Sequence, residues 1–177
     1  MAKWIIDPDH SVAGFAVRHM MISNVRGQFN KISGVVLFDP PDLDHLSVEA
    51  EIDAEGIYTG IQKRDEHLRS PDFFDVTRYP KIVFKSTKAE AGGGNRCKVT
   101  GNLTIRDVTR PVTFEVEYSG PVKDPFDEGG TSIGFSASTE INREDFGVLW
   151  NAPMEGGVIV GKEVRITLDV EADLTPA

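Results

Sequence analysis

The residues best suited to chemistry lie within one stretch of the sequence, Lys63 to Lys85. Arg64, Asp65, His67 and Arg69 follow one another there and bring an acid, a base and two cations together. Such a set could act in general acid–base catalysis, with His67 and Asp65 as the pair that transfers a proton. It could also hold the polar headgroup of a ligand, or form only the solvated face of a surface helix. These three interpretations remain open at this point.

The sequence carries none of the motifs of the commonest enzymes. It has no Gly-x-Ser-x-Gly nucleophile elbow, no glycine-rich phosphate loop and no dinucleotide-binding fingerprint. The histidines at 10, 19, 45 and 67 do not have the spacing of a metal site. A single cysteine, Cys97, excludes an intrachain disulfide and a zinc site built from several thiolates. We therefore predict no catalytic residue, no metal site and no cofactor.

The charge balance restricts the partners of the chain. Its net charge is −9 at pH 7, whereas nucleic-acid binding requires a clustered cationic face that neutralises phosphates. No apolar run approaches the ~20 residues of a membrane span, and the apolar stretch near the N-terminus is too short for a signal peptide. We expect no nucleic-acid partner, no stable membrane insertion and a cytoplasmic location, or a periplasmic one if a leader was removed.

The elements that must position these residues are mostly strands. Apolar and polar residues alternate along most of the chain, which predicts antiparallel strands with one dry and one solvated face. We predict an all-β chain of eight strands, at about residues 12–19, 25–39, 48–54, 81–91, 99–105, 112–118, 133–141 and 164–170. Their dry faces must meet in a sandwich or a closed barrel. An eight-stranded barrel is either filled by side chains or holds one small ligand.

One segment breaks the alternation and predicts a helix, at about residues 60–69. Thr59 and Gln62 fit a reciprocal capping pattern at its start. Ser70 and Pro71 fit the start of a second helix, and two adjacent phenylalanines follow. An amphipathic segment of this kind between strands indicates a lid over the barrel.

Several motifs, taken in order, resemble one known family. They are Ile6-Asp-Pro-Asp-His-Ser11, Val25-Arg-Gly-Gln-Phe29, Arg64-Asp-Glu-His-Leu-Arg-Ser-Pro-Asp-Phe-Phe74, Tyr79-Pro-Lys-Ile-Val-Phe-Lys-Ser86, Gly101-Asn-Leu-Thr-Ile105 and Asn142-Arg-Glu-Asp-Phe-Gly147. Together they resemble the YceI-like family from Trp4 to Ala172. The resemblance implies one domain over residues 1–177, an extended, lipocalin-like eight-stranded antiparallel barrel with an apolar pore. It also implies binding of a polyisoprenoid lipid, such as a polyprenyl phosphate or an isoprenoid quinone, no established catalysis, and an option to form a homodimer.

Alternation and resemblance together predict the ligand-binding residues. The predicted pore wall consists of Phe15, Val17, Phe29, Phe84, Leu103, Phe114, Phe135, Ile141, Phe146 and Trp150. The predicted mouth, where a headgroup would lie, consists of Arg64, His67, Arg69, Phe73 and Phe74. We thus predict a non-catalytic carrier of a long-chain isoprenoid lipid. The alternatives are an enzyme acting on an apolar substrate with His67 and Asp65 as its acid–base pair, and a stress or interaction module whose barrel is filled by side chains.

Overall fold

Strands make up most of the structure, a computed structural model that describes residues 1–176. They are β1 (Lys3–Ile6), β2 (Val12–His19), β3 (Ser23–Phe29), β4 (Ile32–Leu37), β5 (Ser47–Asp53), β6 (Ile57–Tyr58), β7 (Lys81–Ala91), β8 (Arg96–Ile105), β9 (Val108–Lys123), β10 (Thr131–Asn142), β11 (Pro153–Met154), β12 (Gly157–Val158) and β13 (Val160–Leu174). One α-helix, α1 (Gln62–Arg69), lies between β6 and β7. Short 3-10 turns occur at Pro8–His10, Leu43–His45, Ala54–Gly56 and Arg143–Phe146.

The strands close into an antiparallel barrel. Around the barrel the order is β1–β4–β5–β7–β8–β9–β10–β13, and β13 pairs again with β1. β2 and β1 lie along the same side of β13, β2 beside residues 160–169 and β1 beside residues 172–174. They are therefore two halves of one wall strand, as are β3 and β4, which pair with β2 and β1 respectively. Counted in this way the wall has eight strands, and the predicted fold class is confirmed.

The predicted strand over residues 25–39 is in fact broken. β3 ends at Phe29 and β4 begins at Ile32, whereas the sequence predicted one continuous strand. Gly27 and Gly34 permit close approach of neighbouring groups. A Cβ on Gly34 would lie 2.2 Å from the carbonyl oxygen of Glu49, and one on Gly27 would lie 2.3 Å from the ring of Phe15. The strand Lys3–Ile6 was not predicted, because four residues give too short a pattern.

The predicted helix is confirmed, but its predicted N-terminal cap is wrong. α1 begins at Gln62 with Ile61 at the N-cap position and no side-chain cap. The reciprocal cap does not form because Thr59 binds Asp65 instead. The Asp65 Oδ1 accepts hydrogen bonds from the Thr59 N–H and from the Thr59 hydroxyl. A carboxylate in the first turn of a helix also interacts favourably with the helix dipole.

The predicted second helix is also absent from the described residues 1–176. Ser70 is the C-cap of α1, and its hydroxyl donates to the carbonyl oxygen of His67 at 2.6 Å. The chain then forms turns over residues 71–74. The same serine therefore ends one helix rather than starting another.

One end of the barrel is closed by a packed apolar cluster. Trp4 and Phe38 lie at its centre, with exposed fractions of 2% and 0%, and the Trp4 indole N–H donates to the carbonyl oxygen of Phe38 at 2.8 Å. The turn Leu43–His45 covers this end, where Asp44 accepts a hydrogen bond from the N–H of Ala91. We call this cluster the closed end. Within residues 1–176, no helix has the length and apolar character needed to cross a membrane.

Candidate ligand-binding site

An apolar cavity of about 420 Å³ lies inside the barrel. Its volume falls within the ~300–1,000 Å³ that is typical of small-molecule sites. Inward-facing residues of small size leave this space, among them Ala13, Gly14, Ala50 and Ala137. The barrel interior is therefore not filled by side chains, and the filled-barrel alternative is wrong on this point.

All ten residues predicted for the pore wall line this cavity. They are Phe15, Val17, Phe29, Phe84, Leu103, Phe114, Phe135, Ile141, Phe146 and Trp150. The aromatic rings pack on one another: the Phe84 and Phe114 centroids are 5.2 Å apart in an edge-on arrangement, and those of Phe15 and Phe29 are 5.8 Å apart. Such pairs stabilise the wall beyond their area of burial. Whether these residues bind a ligand stays a prediction.

The residues predicted for the mouth divide into two groups. Arg64, His67, Phe73 and Phe74 line the cavity. Arg69 lies outside its lining, because its guanidinium points to the wall: Nε donates to the carbonyl oxygen of Glu55 at 2.9 Å and an Nη to that of Ile57 at 3.1 Å. The structure thus gives Arg69 an anchoring position, and the sequence could not distinguish it from its neighbours on the helix.

Three rings, two from residues 62–74 and one from the loop after β10, meet at the mouth. The His67 ring packs edge-on against Phe73 and Trp150, with centroid distances of 5.0 and 4.8 Å, and Phe73 and Trp150 are 5.4 Å apart. Phe74 packs edge-on against Phe29 of β3 at 5.6 Å. We call α1 and the following turns, residues 62–74, the lid. These contacts hold the lid to the wall and to the loop that contains Trp150.

The acid–base pair of the enzyme alternative is not formed. Asp65 is 4% exposed, and its carboxylate accepts two hydrogen bonds from Thr59. His67 instead pairs with Asp72, with 2.8 Å between Nε2 and Oδ2. The physical reason is helical geometry, since residues two positions apart do not face each other.

A buried arginine that the sequence analysis gave no role also lines the cavity. Arg143 is 5% exposed. Its Nε donates to the carbonyl oxygen of Gly161 at 2.7 Å, and its two Nη atoms donate to those of Val148 and Val160 at 2.8 and 3.3 Å. Burial lowers the pKa of its guanidinium, and the neighbouring Glu144 carboxylate opposes this shift. The motif from Asn142 to Gly147 contained the residue, but sequence alone does not show that an arginine is buried.

One ionic cluster lies away from the cavity. Asp7 caps the Pro8–His10 turn by accepting from the Asp9 N–H, and its other oxygen lies 2.6 Å from Nδ1 of His10. This hydrogen bond lowers the pKa of Asp7 and raises that of His10, to which Glu171 also contributes. Groups of Asp7, His10 and Glu171 lie within 4.8 Å of one another. The direct pairing of Asp7 with His10 accounts for this arrangement.

A closed antiparallel barrel around an apolar cavity, with a helical lid at one end, defines a lipocalin-like ligand-binding architecture. Residues 4–172 match the YceI-like domain. The chain therefore belongs to the YceI-like family, as its motifs predicted.

Curated relatives and solved structures agree with this assignment. UPF0312 proteins of Staphylococcus aureus strains N315 and Mu50 are 35% identical to the chain over 176 residues, which is 99% of each chain. The crystal structure of BcnA from Burkholderia cenocepacia has a TM-score of 0.81 at 26% identity, over 94% of this chain and 98% of BcnA. A YceI protein of Campylobacter jejuni has a TM-score of 0.77 at 31% identity, over 90% of both chains.

A more distant structure shares the fold alone. It is a polyisoprenoid-binding domain from Saccharophagus degradans, implicated in plant cell wall breakdown, with a TM-score of 0.69 at 13% identity. It covers 97% of this chain, and 98% of that domain is matched.

Proposed function

We propose that this protein is a non-catalytic carrier of a long-chain isoprenoid lipid, whose tail occupies the barrel cavity and whose polar end lies at the mouth. The observation that carries the proposal is the cavity of about 420 Å³, lined mainly by aliphatic and aromatic side chains. The polyisoprenoid-binding domain of the same fold supports the choice of ligand class.

Burial of the tail supplies enough free energy for such a carrier without many polar contacts. Apolar surface removed from water contributes ~25 cal/mol per Å², so a buried tail area of ~400 Å² would contribute about 10 kcal/mol before the costs of ordering and association. The wall requires only shape and apolar character to bind the tail. A polyprenyl phosphate and an isoprenoid quinone both meet this requirement.

The positions of Asp65 and His67, the acid–base pair of the enzyme alternative, support a carrier over an enzyme. Asp65 is fixed by Thr59, and His67 is fixed by Asp72 and by two aromatic rings. Both side chains therefore stabilise the lid. A carrier of this type shields an insoluble tail from water, which is the physical requirement for transport.

Lipid extraction and native mass spectrometry of the protein purified from cells test the proposal. We expect a co-purifying isoprenoid, or stoichiometric uptake of geranylgeraniol by delipidated protein. The matched control is Ala137→Phe, which places a ring in the cavity and should reduce uptake. Protein that is empty as purified and stays empty with prenyl alcohols, prenyl phosphates and quinones would refute the proposal.

A second measurement tests the site within the barrel. Affinity for a series of prenyl alcohols should rise with each isoprene unit, because each buried methylene contributes about 0.8 kcal/mol, and should level off once the cavity is full. Affinity that does not depend on chain length would place binding outside the cavity.

A further inference from the structure

All ionisable side chains that line the cavity are basic. They are Arg18, His19, Arg64, His67 and Arg143. Within the described residues 1–176, no aspartate or glutamate contributes to the lining. This is opposite to the chain as a whole, in which 28 acidic residues outnumber 19 lysines and arginines. The polar part of the cavity is therefore suited to a negative charge.

Arg143 has a buried charge that forms no salt bridge within the described part of the chain. Its three hydrogen bonds go to backbone carbonyl oxygens, which are uncharged. The adjacent Glu144 lies 3.7 Å from Nζ of Lys162 instead, and among the described residues no carboxylate lies within 4.0 Å of the Arg143 guanidinium. A guanidinium has five N–H donors, so donors remain for a ligand. A buried cation is costly unless a counter-charge compensates it.

Arg18 and His19 lie on the same edge of the mouth as Arg143. His19 pairs in register with Val160, whose carbonyl oxygen accepts from Arg143. Arg18 packs against Gly161, and one of its Nη atoms makes a single long contact of 3.4 Å with the carbonyl oxygen of Met21. Arg18 is exposed and also lines the cavity, so the cavity reaches solvent there.

The lid lies next to this edge. Asn151 donates to the carbonyl oxygen of Val160 at 2.7 Å and accepts from its N–H at 3.0 Å. The preceding residue, Trp150, contacts His67 of the lid. The basic residues of α1 and those of the β2–β13 edge thus belong to one end of the barrel, opposite the closed end.

We propose that the cavity selects amphiphiles whose polar end is an anion, held at the mouth by Arg143 and Arg18. This inference rests on the proposed function and decides between its two headgroup classes. Guanidinium groups bind phosphate and carboxylate oxygens by paired, charge-assisted hydrogen bonds. The neutral ring of a quinone would add no negative charge beside Arg143.

The test compares two probes with the same tail, geranylgeranyl monophosphate and geranylgeraniol. Titration of delipidated protein should give an affinity for the phosphate about 10- to 100-fold higher than for the alcohol, the range expected of charge-assisted hydrogen bonds. The difference should shrink as salt is raised, because salt screens the exposed part of the interaction. A second pair, oleate and oleyl alcohol, shows whether a carboxylate on a fatty tail has the same advantage.

Substitutions of the two arginines test whether they cause the preference for the phosphate. Arg18→Met and Arg143→Met should each bring the ratio of the affinity for the phosphate to that for the alcohol towards one. Arg143→Lys should retain part of the preference. Arg96→Met is the matched control, because Arg96 pairs with Glu117 away from the cavity. Arg18→Met keeps the test valid if removing the three hydrogen bonds of Arg143 prevents folding.

The outcomes separate the inference from the proposed function. Equal affinities for the phosphate and the alcohol would overturn the inference and leave the lipid carrier intact. A preference for the phosphate that survives both Arg18→Met and Arg143→Met would also overturn it. Failure of every probe to bind would refute the carrier, and the inference with it.

Discussion

Filling the cavity with a protein side chain should stabilise the ligand-free protein, and this prediction tests the cavity directly. Ala137 lies in β10 between Val116 of β9 and Leu168 of β13, and all three line the cavity. Burial of a phenylalanine side chain contributes about 1.5–3 kcal/mol, and fixing its rotamer costs roughly 0.5–1 kcal/mol. We expect Ala137→Phe to raise the free energy of unfolding by about 1–2 kcal/mol.

A matched substitution in a fully packed region should have the opposite sign. Ala172 is 0% exposed and belongs to the cluster that forms the closed end. Ala172→Phe should lower the free energy of unfolding by roughly 1–3 kcal/mol, the usual cost of overpacking. In a chain of this length, 1 kcal/mol shifts the melting temperature by about 2–4 °C. Thermal and urea unfolding of delipidated protein would measure both changes.

The two variants together decide between an open and a filled interior. Destabilisation of Ala137→Phe to the same extent as Ala172→Phe would refute the reasoning, because it would mean that no space exists beside Ala137. Stabilisation accompanied by loss of lipid uptake would show that the side chain and the ligand compete for the same volume.

Further predictions concern other parts of the chain. Burial raises the pKa of the Cys97 thiol to about 11, so iodoacetamide at pH 8 should label Cys97 only in denaturant; rapid labelling of native protein would contradict its burial. Asp7 raises the pKa of His10 from its usual 6.5, so this pair stabilises the fold fully below about pH 6.5, and the contribution is lost as pH rises through the higher native pKa. In urea unfolding from pH 5 to 9, His10→Gln should therefore remove that pH dependence, and an unchanged profile would exclude the pair as its source. A Cβ on Gly101 would lie 2.5 and 2.7 Å from backbone atoms of β7, whereas one on Gly56 meets nothing within 4 Å. Gly101→Ala should lower the free energy of unfolding by about 1–3 kcal/mol and Gly56→Ala should change it little; similar effects of the two would disprove the close approach.

The wall of the barrel could be predicted from sequence because its signal is local. The strands predicted at residues 12–19 and 81–91 have these same bounds in the structure. The pore-wall residues predicted within strands line the cavity for the same reason, since alternation fixes which face of a strand is dry. Phe146 and Trp150 also line it, but they lie in the turn and loop that follow β10. The strand at Lys3–Ile6 was not predicted because it contains only two buried residues, Trp4 and Ile6. What identifies it as a strand is its pairing with β4 and β13, which are distant in sequence.

The errors at the lid and the mouth arise from competition between polar groups. Thr59 fitted a capping pattern, yet Asp65 takes both its N–H and its hydroxyl. Arg69 and Arg143 look like surface residues in sequence, because arginine is rarely buried. Their positions depend on backbone carbonyl groups at Glu55, Ile57, Val148, Val160 and Gly161, which only the folded barrel brings together.

The closed end at Trp4 and Phe38 gives the barrel a direction. In the proposed carrier a bound chain would enter and leave through the mouth, so the part that enters last would leave first. An acceptor, whether a bilayer or another protein, would then contact the polar terminus before any part of the tail, and the end of the tail beside the closed end would leave last. A lipid tail longer than the barrel could not pass out through the closed end. Its additional isoprene units would remain in water outside the mouth, and each of them would lower the affinity.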